Sequence, residues 1–226
     1  MNKAILPKVA KPIRYEVKLD IDLSNFKYNG SQDVELEIIK ETESFEVNAI
    51  DIEIVNASLF NEDGKKLNLT FEYMKDLERI SFNANENIPV GIYSLQLEFN
   101  STITNDLKGF YKSQFLDLND DEKWIATTQF EPTSARNAFP CWDEPEYKAV
   151  FSISLTSEEK YLRISNEKVL KENKFEDGRV ETVFVDSMKM STYLVAFVIG
   201  ELEVTEVGSV GDTQIRIIHR PGFSHQ

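Results

Sequence analysis

Apolar and polar residues alternate through much of this chain. Tyr15, Val17, Leu19, Ile21 and Leu23 are separated by Glu16, Lys18, Asp20 and Asp22. Val34, Leu36 and Ile38 alternate with Glu35 and Glu37. The same period runs through Tyr93, Leu95, Leu97 and Phe99, and through Ala149, Phe151, Ile153 and Leu155. Side chains leave a strand on alternate sides, so each run predicts a strand with one face in a core and one in water. Shorter runs at 50–55, 67–71, 79–82, 124–128, 182–185 and 214–218 predict further strands. Residues 193–199 are apolar throughout, which predicts a strand covered on both faces or one with a bulge.

Turn signals punctuate the runs at Asn29-Gly30, Glu62-Asp63-Gly64, Pro89-Val90-Gly91 and Glu176-Asp177-Gly178. Strands recurring about every ten residues predict an all-β fold, either an antiparallel sandwich or open curved sheets. No helical period is sustained, and one short helix is expected at 134–139, after the Pro132-Thr133 break. There is no repeat and no linker, so residues 1–226 read as one β-domain, with a softer division at the acidic loop 119–121.

Composition narrows the function. Of 226 residues, 41% are hydrophobic and 28% charged, enough to bury a core and too apolar for disorder. The formal net charge of −14 repels phosphate backbones and anionic lipid, which argues against nucleic-acid and membrane partners. It would attract a cation such as a free peptide amino terminus. Neither a signal-peptide run nor a membrane-length apolar stretch occurs, so a cytoplasmic location is expected. On that reading the sequons at Asn29, Asn56, Asn68 and Asn100 are unused. A single cysteine, Cys141, allows no internal disulfide. His219 and His225 are six residues apart, a spacing that fits no short helical ligand pair. Neither a zinc site nor metal catalysis is expected on this chain.

One segment departs from the alternation. Between Trp124 and Phe151, the polar side chains Gln129, Glu131, Arg136, Asp143 and Glu144 sit among aromatics and the prolines at 132, 140 and 145. Proline fixes φ and interrupts a strand ladder, so the segment reads as a rigid irregular mount for a site. From the residues alone, Glu131 is a solvated or capping carboxylate and Gln129 a strand-end amide. Arg136 with Asp143 and Glu144 reads as an ion-paired loop clamp. Cys141, Trp124, Phe139, Trp142 and Phe151 read as packing residues.

The run Thr128-Gln-Phe-Glu-Pro-Thr-Ser-Ala-Arg-Asn-Ala-Phe-Pro-Cys-Trp-Asp-Glu-Pro145, followed by Lys148-Ala-Val-Phe151, resembles the N-terminal-domain signature of the aminopeptidase N and puromycin-sensitive aminopeptidase family, zinc enzymes of the gluzincin class. Pro12-Ile-Arg-Tyr15, Gly109-Phe-Tyr-Lys-Ser113 and Met190-Ser-Thr-Tyr-Leu-Val-Ala-Phe197 are similar to further elements of that family, in the same order. The resemblance implies a saddle-like β-domain that precedes a thermolysin-like catalytic domain. It also implies that Glu131 helps hold the substrate's α-amino group and that Gln129 lines the pocket for its first side chain. The implied partners are peptides with a free N-terminus and the catalytic domain, and the implied cofactor is zinc in the complete enzyme. The family's Gly-x-Met-Glu-Asn and His-Glu-x-x-His motifs do not occur in this sequence, so the chain alone is expected to be inactive. The alternatives are a non-catalytic scaffold homologue and a free-standing β-sandwich binding module, for example for glycans.

Overall fold

The computed structural model describes residues 5–224. Seventeen strands run through them: β1 Ala10–Asp22, β2 Lys27–Ile38, β3 Thr42–Asn48, β4 Glu53–Asn61, β5 Lys66–Asn68, β6 Thr70–Met74, β7 Arg79–Ile88, β8 Gly91–Thr102, β9 Gly109–Leu116, β10 Glu122–Gln129, β11 Val150–Glu158, β12 Leu162–Ser165, β13 Val169–Lys174, β14 Arg179–Phe184, β15 Phe197–Gly200, β16 Glu203–Val210 and β17 Thr213–His219. The helical content among the described residues is three single 3-10 turns, at Lys75–Leu77, Ala135–Asn137 and Thr192–Leu194. The middle one lies within the short helix expected at 134–139.

Four sheets form. The largest has eight strands in the order β13-β14-β11-β1-β2-β8-β4-β5. A three-stranded sheet runs β3-β7-β6, a four-stranded sheet runs β12-β15-β10-β9, and β16-β17 stand as a separate pair. The alternation acts as expected in the large sheet. Tyr15, Val17, Leu19, Val34, Leu36, Leu95, Leu97, Phe99, Ile153 and Leu155 are all buried; Glu16, Lys18, Glu35, Gln96 and Glu98 between them are exposed, while Ser154 is buried. Burying each large apolar side chain stabilises the fold by about 1.5–3 kcal/mol. Asn29, Asn56, Asn68 and Asn100 lie on strands of this sheet, the first three exposed and Asn100 half-buried.

Several details differ from the sequence reading. Asn29-Gly30 is inside β2 rather than at a turn. A Cβ on Gly30 would come within 2.1 Å of Phe99 Cζ, so this glycine makes room for a ring on the neighbouring strand. One pairing in the large sheet is parallel: β1 aligns with β11, from Arg14 opposite Val150 to Asp20 opposite Thr156. A parallel partner needs a long crossover, and the chain from β2 to β10 supplies it. Only the second half of 193–199 is strand; its first residues belong to a 3-10 turn. Strand β4 begins at Glu53, and Ile50 instead donates its N–H to the Arg136 carbonyl at 2.9 Å. The acidic loop at 119–121 closes the β9–β10 hairpin within one sheet.

Candidate functional site

The irregular segment after β10 fills the junction where three sheets meet. Its aromatics form a continuous chain of rings. Tyr15 stacks on Phe151 at 4.9 Å, and Phe139 meets both edge-on. Phe130 packs edge-on against Phe139 and Phe197, and Phe197 against Phe110. The large sheet is thereby bonded to the four-stranded one through Phe130 and Phe139. Such ring pairs contribute about 0.5–1.5 kcal/mol each beyond their buried area.

Backbone groups of the segment are satisfied from outside it, as buried polar groups require. Cys141 exchanges two backbone hydrogen bonds with Asn48, at 2.8 and 3.0 Å. Gln32 donates to the Pro140 carbonyl at 2.8 Å, and Tyr28 donates to that of Ala138 at 2.9 Å. The Trp142 N–H donates to the Tyr15 hydroxyl at 3.1 Å.

The charged residues are knotted beneath this ledge. Arg136 Nε donates to Asp143 Oδ2 at 2.9 Å, and Nη2 donates to the Asp143 carbonyl at 3.1 Å. Arg136 Nη1 reaches Glu78 Oε2 at 2.9 Å. The second Asp143 oxygen accepts from Thr192 Oγ1 at 2.6 Å, and the Asp143 N–H donates to Asn48 Oδ1 at 3.2 Å. Glu144 takes no part in this pair; its Oε1 accepts the Leu6 N–H at 2.6 Å and anchors the start of the described chain. Glu78, Asn48 and Thr192 were invisible to sequence reasoning as parts of this knot. Their neighbours on β3, at the end of the 3-10 turn 75–77 and near 190–197 carry no local signal of a partner so far along the chain. Burial pushes both the Cys141 thiol and the Tyr15 phenol well above their ordinary values.

Gln129 and Glu131 stand apart from the knot. They flank Phe130, which is buried, and both are exposed. The Phe130 carbonyl accepts the Ser134 N–H at 2.7 Å, which winds the chain directly beneath Glu131. Gln129 Nε2 donates to the Glu131 carbonyl at a long 3.4 Å. The Glu131 carboxylate has no hydrogen bond or ion pair among the described residues. The two side chains lie on open surface, away from the cavity of about 620 Å³ that Ala49–Glu53, Tyr73 and Glu78 line.

The donors present do not fit zinc. Among the described residues no group of three His, Cys, Asp or Glu side chains could hold a metal. His219 lies at the end of β17, with its ring nitrogens 2.8 Å from Thr205 Oγ1 and from the Arg220 carbonyl oxygen. His225 falls outside the described residues. Among the described residues no helix is long and apolar enough to cross a membrane.

The face of the four-stranded sheet that bears Gln129 mixes apolar and small polar side chains. Pairing places Tyr111 beside Thr127, Ser113 beside Ile125 and Val198 beside Thr127. Leu162 and Ile164 continue the same face. All are half-buried rather than exposed or fully buried. Strands β16 and β17 expose Val204, Val207, Val210, Ile215, Ile217 and Ile218 by 37–70%.

The Peptidase M1 N-terminal domain model matches residues 11–194. The chain is 35% identical over 223 residues to the puromycin-sensitive aminopeptidase of Caenorhabditis elegans, covering 98% of this chain and 24% of that protein. It is 34% identical over 230 residues to aminopeptidase M1-A of Oryza sativa, covering 100% of this chain and 26% of that protein. It is 31% identical over 221 residues to endoplasmic reticulum aminopeptidase 2 of Bos taurus, covering 94% and 23%. The chain thus spans about a quarter of the length of these relatives. With the family's motif segment at the junction of its sheets, this chain belongs to the Peptidase M1 N-terminal domain family.

Proposed function

We propose that this chain is the substrate-pocket wall of a zinc aminopeptidase, with Glu131 holding the peptide's α-amino group and Gln129 facing its first side chain. The observation that carries this reading is the pair's placement. Both leave one rigid aromatic ledge on its open side, and the Glu131 carboxylate is unpaired among the described residues. An ammonium leaving water needs an anionic acceptor at close range. A carboxylate at the closed end of a cleft also rejects internal peptide bonds, which offer no charge to pair with it. The opposite wall and the zinc belong to the remainder of a longer enzyme, which would cover the half-apolar face around Gln129 and the β16–β17 pair. A two-stranded ribbon with apolar residues exposed is marginal alone, and such patches mark interfaces.

A glycan-binding module fits less well. The exposed face of the large sheet presents Glu16, Lys18, Asp33, Gln96 and Glu98, with no aromatic platform among these strands. A pure scaffold has no need to hold an α-amino group.

The test is a chimera in which this chain replaces the matching segment of the Caenorhabditis elegans puromycin-sensitive aminopeptidase. Glu131→Ala there is expected to lower kcat/KM for unblocked aminoacyl substrates by roughly 2–4 kcal/mol in transition-state terms. An unchanged kcat/KM would remove Glu131 from the site.

A further inference from the structure

The chain passes from the edge of one sheet to the edge of another within a single residue. Strand β5 pairs with β4, with Asn68 opposite Ser58, and Leu69 then leads into β6, which pairs with β7. Strand β4 stays with β8 from Asn61 back to Glu53. Strands β4 and β6 therefore part. A cavity of about 620 Å³ opens between residues 49–53 on one side and Tyr73, Lys75 and Glu78 on the other. The Tyr73 hydroxyl spans the gap by accepting the Ile54 N–H at 2.7 Å. A second cavity, of about 460 Å³, lies along residues 72–77 and shares Tyr73 and Lys75 with the first. Ala49 and Ile52 give the larger cavity an apolar wall, and the aromatic pair Phe71 and Tyr73 is 37% and 41% exposed beside it.

The outer edge of β6 is open. Its neighbour in the three-stranded sheet is β7, and residues 70–74 make no other backbone hydrogen bond among the described residues. Proteins blunt such edges with bulges, lysines, prolines or very short strands. Strand β13 has Lys171, Lys174 and a register shift, and β5 has three residues. Strand β9 is covered in part by Thr104, whose carbonyl accepts the Lys112 N–H at 2.8 Å. Thr70-Phe-Glu-Tyr-Met74 has no such device: its register with β7 is unbroken, and it contains neither lysine nor proline. The rim is acidic. The carboxylates of Asp51, Glu72 and Asp76 have no hydrogen bond or ion pair among the described residues, while Arg79 is engaged with Glu46 at 2.9 Å. Lys75 is outnumbered by these carboxylates.

We infer that the open edge of β6 is a docking site for an extended segment of another protein, in which apolar residues alternate with lysine or arginine. The segment adds to the sheet as a strand, and its backbone meets the unpaired N–H and C=O groups of residues 70–74. Successive side chains of a strand point to opposite faces. The apolar ones enter the larger cavity over Ala49, Ile52 and the Tyr73 ring. The basic ones lie on the side of Glu72, within reach of the acidic rim. A second copy of this chain fits the edge less well. Two β6 strands paired antiparallel about their midpoints would set Glu72 against Glu72, and like charges directly opposite are destabilising. Each chain also has a net charge of −14, which repels its copy.

The test uses this chain and a short fluorescent peptide, acetylated and amidated at its ends, in which lysine alternates with valine and leucine. Acetylation removes the α-amino group, so the outcome is independent of the reading of Glu131. Anisotropy is expected to show saturable binding, at least about tenfold tighter than for the same peptide with glutamate in place of lysine. Hydrogen exchange is expected to slow on binding at amides within residues 70–74, because strand addition covers the outward N–H groups. Asp51→Asn combined with Glu72→Gln changes two exposed positions, and asparagine tolerates the φ of +53° at residue 51. This variant is expected to bind the lysine peptide at least about threefold more weakly. No binding, equal binding of the two peptides, or an unchanged affinity of the variant would overturn the site. Slowed exchange on the outer face of the eight-stranded sheet, with none at 70–74, would mean general charge attraction and would overturn it too. Protection of 70–74 in the free chain that grows with chain concentration would put a second copy on the edge, against the proposal.

Discussion

The outer faces of the two main sheets are made to different ends. On the eight-stranded sheet, β1, β2 and β8 give most of their apolar residues to the core and most of their polar residues to water. On the four-stranded sheet, the inner face is equally apolar, with Phe110, Ala126 and Phe197 buried, but the outer face bears Tyr111, Phe115, Ile125, Leu162, Ile164 and Val198 half-covered. The second sheet and the neighbouring β16–β17 pair retain apolar surface suited to a further layer of protein. Gln129 and Glu131, both exposed, flank Phe130 at the rim of that second face. On the proposed function, substrate is held at the rim of that second face.

The comparison breaks most readily at the knot that fixes the ledge. Asp143→Ala strands the Arg136 guanidinium in a buried site and is expected to cost about 3–5 kcal/mol in urea unfolding. A cost near zero would mean that the ledge is held by its rings alone. Gly30→Ala drives a methyl group into the Phe99 ring across the large sheet, and is expected to cost about 1–3 kcal/mol by the same measurement. Alkaline pH probes the buried Cys141 thiol and Tyr15 phenol, both raised by burial. Each ionises more readily unfolded than folded. Stability is therefore whole below the ordinary thiol and phenol pKa values and falls as pH rises above them, by up to about 1.4 kcal/mol per pH unit for each group. Cys141→Ala should flatten the earlier part of that decline, and an unaltered profile would contradict burial of the thiol. The smallest effect sharpens the contrast most: Ile217→Ser on β17 should change the stability of this chain by less than about 0.5 kcal/mol. In the chimera the same change should cost more than about 1 kcal/mol, because the residue is then covered. Equal costs in both would mean that the pair stays open.

Period two was sufficient for the large sheet. Tyr15 to Leu23, Val34 to Ile38 and Tyr93 to Phe99 reached the core face expected of them because one face of an antiparallel strand meets water. Where the reading failed, a distant partner decided. Gly30 looked like a turn residue until Phe99 occupied the space its Cβ would need. The parallel pairing of β1 with β11 joins segments more than a hundred residues apart, as their paired positions show, and nothing in either strand encodes direction. Residues 193–199 split because the start of the run is wound into a turn, where Thr192 reaches Asp143. At the candidate site, the motif itself made Gln129, Glu131, Arg136, Asp143 and Glu144 legible as a group. Their division was not legible: Arg136 with Asp143 is sunk into a knot, Glu144 anchors Leu6, and Gln129 with Glu131 stands free on the surface.

Hydrolysis of a panel of aminoacyl fluorogenic substrates in the presence of zinc, by this chain alone and by the chimera, tests the central claim most directly. The account predicts no turnover by the chain and chelator-sensitive turnover by the chimera. Chelator-sensitive turnover by the chain alone would contradict it, and would place metal ligands among side chains assigned here to the scaffold.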